Sequence, residues 1–194
     1  LTSTGAGAGN AVGALVEAMN AGTPLLHLTG QVEKAWLDAD TGFIHETRDQ
    51  LTFLKASSKR AYRISNANQA VAILHKAIQE AQTPPCGPVS VEIPIDIQSA
   101  KIPLSLLTAP LKRAPAVEPE ASLVDALWAQ LKQAKQPLLW LGGGALESGE
   151  AVKTLADAGV TVISSTHGRG ILADSHRASL RAFHNSPSVE ALIS

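Results

Sequence analysis

The run Gly5-Ala6-Gly7-Ala8-Gly9-Asn10 has the composition of a loop that binds through its backbone. Glycine lets the chain approach a ligand or another backbone closely, and the amides that open a following helix attract polar or anionic groups. A tight turn packed against a sheet uses the same residues, so both readings stand. A second glycine turn occurs in Leu138-Leu139-Trp140-Leu141-Gly142-Gly143-Gly144-Ala145, a strand-like stretch entering glycines ahead of a helix. That order can place a phosphate at a helix N-terminus, yet the Gly-x-Gly-x-x-Gly spacing of a dinucleotide site is absent. His45 lies in a polar stretch and is the kind of side chain that exchanges a proton near neutral pH, as a proton donor or hydrogen-bond partner; a solvated loop histidine is the plainer alternative. His27, His75, His167, His176 and His184 show no metal-ligand spacing and read as structural or surface residues. No metal site is expected from these residues.

The elements that must position these groups follow from periodicity. Val12, Leu15, Val16 and Met19 recur at helical spacing, so the glycine-rich stretch reads as a loop over residues 1–10 entering a helix that begins near Asn10. Gly22 and Pro24 end that helix, and residues 25–29 form a short buried strand. Residues 30–50 are polar and aperiodic, a long surface loop of the kind that carries function. A strand at 59–64 comes next. Asn66 or Asn68 then caps a helix with Val71, Leu74, Ala77, Ile78 and Ala81 on its apolar face, which Thr83-Pro84-Pro85 terminates before a strand at 89–93. The region 99–119, with Pro103, Pro110, Pro115 and Pro119, is the expected linker. Beyond it the pattern predicts a helix at 122–134, a strand at 137–141, a helix at 147–158 and a strand at 160–164, which is a unit that builds parallel sheets. The fold class expected is α/β, with two incomplete parallel-sheet domains, the second Rossmann-like.

Composition narrows the function classes. The 194 residues are 45% apolar and suit one large or two small globular domains. A formal net charge of -1 with no Lys/Arg cluster predicts no nucleic-acid partner. The apolar runs are short of the ~20 residues that a membrane helix needs, so no membrane association is expected. With Cys86 as its one thiol the chain forms no internal disulfide and no Cys-based zinc site, and it suits a cytoplasmic location. Its start at Leu1 reads as that of a trimmed chain.

Several stretches together carry a resemblance. Thr2-Ser3-Thr4-Gly5-Ala6-Gly7-Ala8-Gly9-Asn10, Pro24, Thr29-Gly30-Gln31-Val32, Phe43-Ile44-His45-Glu46, Gly87-Pro88-Val89 and Ile93-Pro94-Ile95-Asp96-Ile97 occur in order. At similar spacing they resemble the pyrimidine-binding domain of thiamine diphosphate-dependent enzymes of the acetolactate synthase type. The resemblance implies that residues 1–98 are the C-terminal part of that domain and that residues 120–194 are the N-terminal part of the family's central domain. It places Ala6, Gly7 and Asn10 near the aminopyrimidine ring of thiamine diphosphate and His45 toward the reacting end. It also makes Gly142, Gly143 and Gly144 the candidate nucleotide turn, with Thr166-His167-Gly168-Arg169-Gly170 as the loop after the next strand. Ala6 stands where the family usually has Pro, and His45 where acetolactate synthases commonly have Gln. The Pro84-Pro85-Cys86 stretch stands where FAD-binding members often carry Arg, which argues against FAD.

What the resemblance implies for function is a parent that condenses or decarboxylates 2-oxo acids with thiamine diphosphate and Mg2+, as a transferase or lyase. The family's catalytic Glu would lie upstream of Leu1, and no Gly-Asp-Gly metal motif occurs, so this chain is expected to be inactive alone. A thiamine-dependent decarboxylase or acyl-CoA lyase is the alternative within the class. A nonenzymatic nucleotide-binding module is the alternative outside it. Because sites of this family form between subunits, a homo-oligomer is expected, with Trp36, Phe43 and Phe53 as apolar anchors and an unpaired sheet edge adding to the tendency.

Overall fold

The computed structural model describes residues 1–107, 118–183 and 185–193. The chain divides into two compact units, Leu1–Pro115 and Ala116–Ser194. Both sheets are built only from parallel pairs, three strands in one and two in the other, which makes the fold α/β. Residues 108–117 of the expected linker, Pro110 and Pro115 among them, and His184 lie outside the described residues.

In the first unit, β1 (Leu25–Gln31), β2 (Arg60–Arg63) and β3 (Pro88–Pro94) pair in the order β1-β3-β2. The central strand β3 is buried at every position but Ile93, as a parallel strand covered on both faces should be. Helix α1 (Ala6–Asn20) and helix α2 (Gln50–Ser57) contact each other, and helix α3 (Ala70–Gln82) makes the crossover from β2 to β3. A short helix α4 (Ile95–Gln98) follows β3. Ile64, Ala77, Ala81, Val89, Val91 and Ile97 form the core of this unit.

Two expectations are corrected here. Helix α1 begins at Ala6, not near Asn10, so most of the glycine-rich stretch is helical. Gly5, at φ 58 and ψ -100, makes the whole turn by itself, and the alanines at 6 and 8 favour helix strongly enough to carry Gly7 and Gly9 with them. The residues that this helix buries are Ala8, Leu15 and Ala18, whereas Val16 is exposed. The loop expected over 30–50 is shorter, since β1 runs to Gln31 and α2 starts at Gln50. Asp49 caps α2 by accepting from the Thr52 amide at 3.2 Å.

In the second unit, β4 (Leu138–Leu141) and β5 (Thr161–Ser164) pair in parallel, joined by α6 (Gly149–Asp157). Helix α5 (Ala121–Gln133) precedes β4 and α7 (Pro187–Ile193) ends the unit. Val152 and Ala156 of α6 pack with Leu141, Val162, Ile171 and Leu172. The helix expected at 147–158 runs from Gly149 to Asp157, and between the glycine turn and it Gly143–Ser148 forms a 3-10 segment. Among the described residues no helix is long and apolar enough to cross a membrane.

Candidate active site at the carboxyl ends of the first sheet

In a parallel sheet all carboxyl ends lie on one side, and ligands of open α/β sheets bind there. Thr2 extends the outer side of β1, donating its N–H to Leu28 O at 2.9 Å and accepting from the Gly30 N–H at 3.2 Å. That pairing delivers the Gly5 turn to the carboxyl end of β1. Gly5 is buried, and a Cβ there would run into the His45 carbonyl oxygen and stand 2.8 Å from Thr47 Oγ1. The turn into α1 and the backbone of the His45 loop are therefore in direct contact. His45 itself has φ 63 and an exposed side chain.

Beneath this contact lies a buried polar network. Gln50 is fully buried; its Oε1 accepts the Gly5 N–H at 2.7 Å, while its Nε2 donates to Gly30 O at 3.0 Å and to Glu92 Oε2 at 3.1 Å. Glu92 is also fully buried and pairs through Oε1 with Arg63 Nε, its direct neighbour in the β2-β3 register. Gln31 Nε2 lies 3.5 Å from Glu92 Oε2, and Arg63 reaches Asp38 at 3.5 Å. A second buried chain runs across the sheet. His27 contacts Thr2 Oγ1 through Nε2 at 2.9 Å and Ser90 Oγ through Nδ1 at 3.1 Å, and Ser90 meets Ser58 Oγ at 2.7 Å. Burial, with a smaller contribution from the positive chain terminus, holds the His27 imidazole below its ordinary pKa.

The structure places the residues singled out in the sequence unequally. Ala6 and Asn10 are exposed and lie one turn apart on α1, hence on one face. Gly7 faces inward, where a Cβ would collide with the Ser3 side chain, while Gly9 has open space. The Gly5 turn thus brings the start of α1 and the His45 loop together, leaving Ala6, Asn10 and the His45 side chain toward solvent. In the second unit Gly142 and Gly144 have open space, whereas Gly143 packs under His167 Cβ at 3.3 Å and Gly149, opening α6, lies 3.3 Å from Ile171 O. Six residues of 3-10 helix thus separate β4 from α6, unlike a strand-turn-helix phosphate cradle.

Gln50, Glu92, Arg63 and Asp38 were not anticipated from the sequence. A clue was present in Pro88-Val89-Ser90-Val91-Glu92-Ile93, where a carboxylate interrupts an otherwise apolar buried strand. An open cleft of about 490 Å3 is lined by Asp38, Asp40, Glu46, Thr47, Arg48 and Asp49. Its carboxylates are engaged: Asp40 with Arg48, Asp38 with Arg63, Asp49 with Thr52, and Glu46 with the Phe43 amide at 2.9 Å. Among the described residues no cluster of His, Cys, Asp and Glu is arranged to hold a metal ion.

Residues 1–53 match the family described as "Thiamine pyrophosphate enzyme, N-terminal TPP binding domain". The chain is 30% identical over 179 residues to the acetolactate synthase isozyme 1 large subunit of Escherichia coli, covering 91% of this chain and 31% of that protein. It is 28% identical over 187 residues to a probable acetolactate synthase 2 of Oryza sativa, covering 93% of this chain and 28% of that protein. It is also 27% identical over 170 residues to a probable 2-ketoarginine decarboxylase of Pseudomonas aeruginosa, covering 87% and 30%. The chain thus spans about three-tenths of the length of these curated relatives. On these matches, and with the Gly5 turn at the carboxyl end of a parallel sheet, the chain is similar to thiamine diphosphate-dependent enzymes of the acetolactate synthase type over about nine-tenths of its own length.

Proposed function

We propose that the first unit supplies the pyrimidine side of a thiamine diphosphate site in an enzyme that acts on 2-oxo acids, by carboligation or decarboxylation. The observation that carries this reading is the contact of the Gly5 turn with the His45 backbone, which sets the start of α1 beside the loop bearing an exposed imidazole. The residues fit the cofactor's ring in kind. Ala6 leaves the first turn of α1 open at its surface, and Asn10, on the same face, offers both a donor and an acceptor. Thiamine diphosphate, when bound, supplies the carbanion chemistry. His45 then holds or delivers a proton at its imidazole nitrogen toward the reacting carbonyl, and the loop it stands on limits water.

Likeness to both acetolactate synthases and a 2-ketoarginine decarboxylase supports the 2-oxo acid class without choosing between the two outcomes. Mg2+, which the family uses, would be held elsewhere in the assembled enzyme, and so the 194-residue chain alone is expected to show no turnover of pyruvate. In this reading the functional enzyme is a homo-oligomer of cytoplasmic type. The test is a titration of the 15N-labelled chain with thiamine diphosphate and Mg2+, followed by backbone NMR. Shifts confined to residues 5–10 and 43–47 are the expected result. Shifts elsewhere alone, or none at millimolar ligand, would overturn the proposal.

A further inference from the structure

We infer that Glu92 is a positioning residue for the loop that carries His45, acting from within the sheet through Gln50 and Arg63. The inference rests on the reading of that loop as the reacting side of the site. A fully buried carboxylate is rare, and a buried ion pair adds little net stability over apolar residues of similar size. What this one adds is definition of geometry. Its Oε2 accepts from Gln50 Nε2, and its Oε1 pairs with the Arg63 guanidinium, whose other side reaches Asp38. Asp38 and Gln50 bracket the loop at its two ends, and His45 lies between them. One carboxylate therefore holds both ends.

The Gln50 carboxamide makes the coupling directional. Its Nε2 faces two acceptors, Gly30 O and Glu92 Oε2, and its Oε1 faces one donor, the Gly5 N–H. Only one orientation of the amide satisfies all three. Glu92 cannot donate while ionised, so it keeps Gln50 Oε1 aimed at the Gly5 turn, against which the His45 carbonyl packs. A carboxamide at position 92 could donate as well as accept. Gln50 would then be oriented by Gly30 O and the Gly5 N–H alone, and its hold on the Gly5 N–H would weaken.

The test is amide hydrogen exchange and line width on the 15N-labelled chain. Glu92→Gln is expected to speed exchange at Gly5 by about tenfold or more and to broaden residues 38–49, while the Val89 and Val91 amides stay protected. Asp38→Ala, at an exposed carboxylate, is expected to loosen the loop near residue 38 and leave Gly5 unchanged. The double variant Glu92→Gln/Arg63→Gln removes the orphaned cation, and it is expected to regain stability with the loop still loose. If that double variant restores loop order as well as stability, or if Gly5 and the loop are unaffected in Glu92→Gln, Glu92 is merely a counter-ion and the inference fails. Should Glu92→Gln not fold, Asp38→Ala and the double variant decide by the same outcomes. A chain that behaves as expected here but shows no thiamine diphosphate shifts would overturn the proposed function alone.

Discussion

His27 and Ser90 stand opposite one another in the parallel register of β1 and β3, and their side chains hydrogen-bond across it at 3.1 Å. The imidazole is buried, and burial favours its neutral form, so its folded-state pKa lies below the unfolded value. Between those two pKa values the unfolded chain binds more protons than the folded one. Stability is then complete above about pH 6.5 and declines as pH falls below it toward the lowered folded pKa. Denaturant titrations at pH 8 and at pH 5.5 should show this loss. His27→Gln should reduce the pH dependence, at a cost of roughly 1 kcal/mol at pH 8 for the disturbed Thr2 and Ser90 contacts.

Gly5 combines a positive φ with direct backbone contact to His45. An alanine there meets both penalties, since its φ and ψ suit glycine and its Cβ has no room. Gly5→Ala is expected to destabilise the chain by about 2 kcal/mol or more, seen as a lower Tm. Gly9→Ala is the control. With open space and a helical backbone, it should stabilise by up to about 1 kcal/mol. Equal effects of the two substitutions would contradict the assigned role of Gly5.

The strands and most helices were legible because each is set by local periodicity: β1, β2, β3, α3, β4 and β5 stand within a residue or two of where the apolar pattern puts them. The start of α1 was not. Gly7 and Gly9 read locally as loop, whereas Gly5 alone turns the chain and the helix packs Ala8 into the unit's interior. Helix α2 was missed because its buried residues, Gln50, Leu54 and Ser57, include two polar ones that present no apolar stripe. The network beneath the site was out of reach for a further reason. Its links join residues 45, 42 and 29 positions apart, and only the folded register of β2 and β3 makes Arg63 the neighbour of Glu92. Of Gly5, Gly7 and Gly9, which read alike in the sequence as places of close backbone approach, Gly5 alone has such a neighbour, the His45 carbonyl, whereas Gly7 meets the Ser3 side chain and Gly9 has open space.

His45 separates function from stability. Its side chain is exposed and its backbone is already in the left-handed region, so His45→Asn, which tolerates that region, should change stability by no more than about 0.5 kcal/mol. If the imidazole serves the reacting end of the cofactor, the same variant, carried in the assembled enzyme, should lower kcat by about 100-fold or more, with a smaller effect on KM. Unchanged kcat with an intact fold would remove His45 from the proposed mechanism.

Association offers a last test, because Trp36 and Phe43 form a tilted ring pair 5.3 Å apart that remains 41% and 43% exposed, with Ile44 beside them at 80%. Phe53 is different: it is half-buried on α2 and partly committed to its own unit. Aromatic side chains that pack on each other yet stay open to water suit the centre of an interface, where covering them removes apolar area on both sides. They also sit on the loop that bears His45, so pairing through them would place a second chain next to the proposed site. Sedimentation of the 194-residue chain at tens of micromolar, about the concentration at which micromolar interfaces fill, is expected to show a dimer or larger species. Trp36→Ala should shift it toward monomer by weakening association about tenfold or more, without a comparable loss of Tm, while Phe53→Ala should lower Tm by opening the core beneath α2. A clean monomer for the unaltered chain, or a Trp36→Ala variant that associates as before, would rule out this loop as the contact.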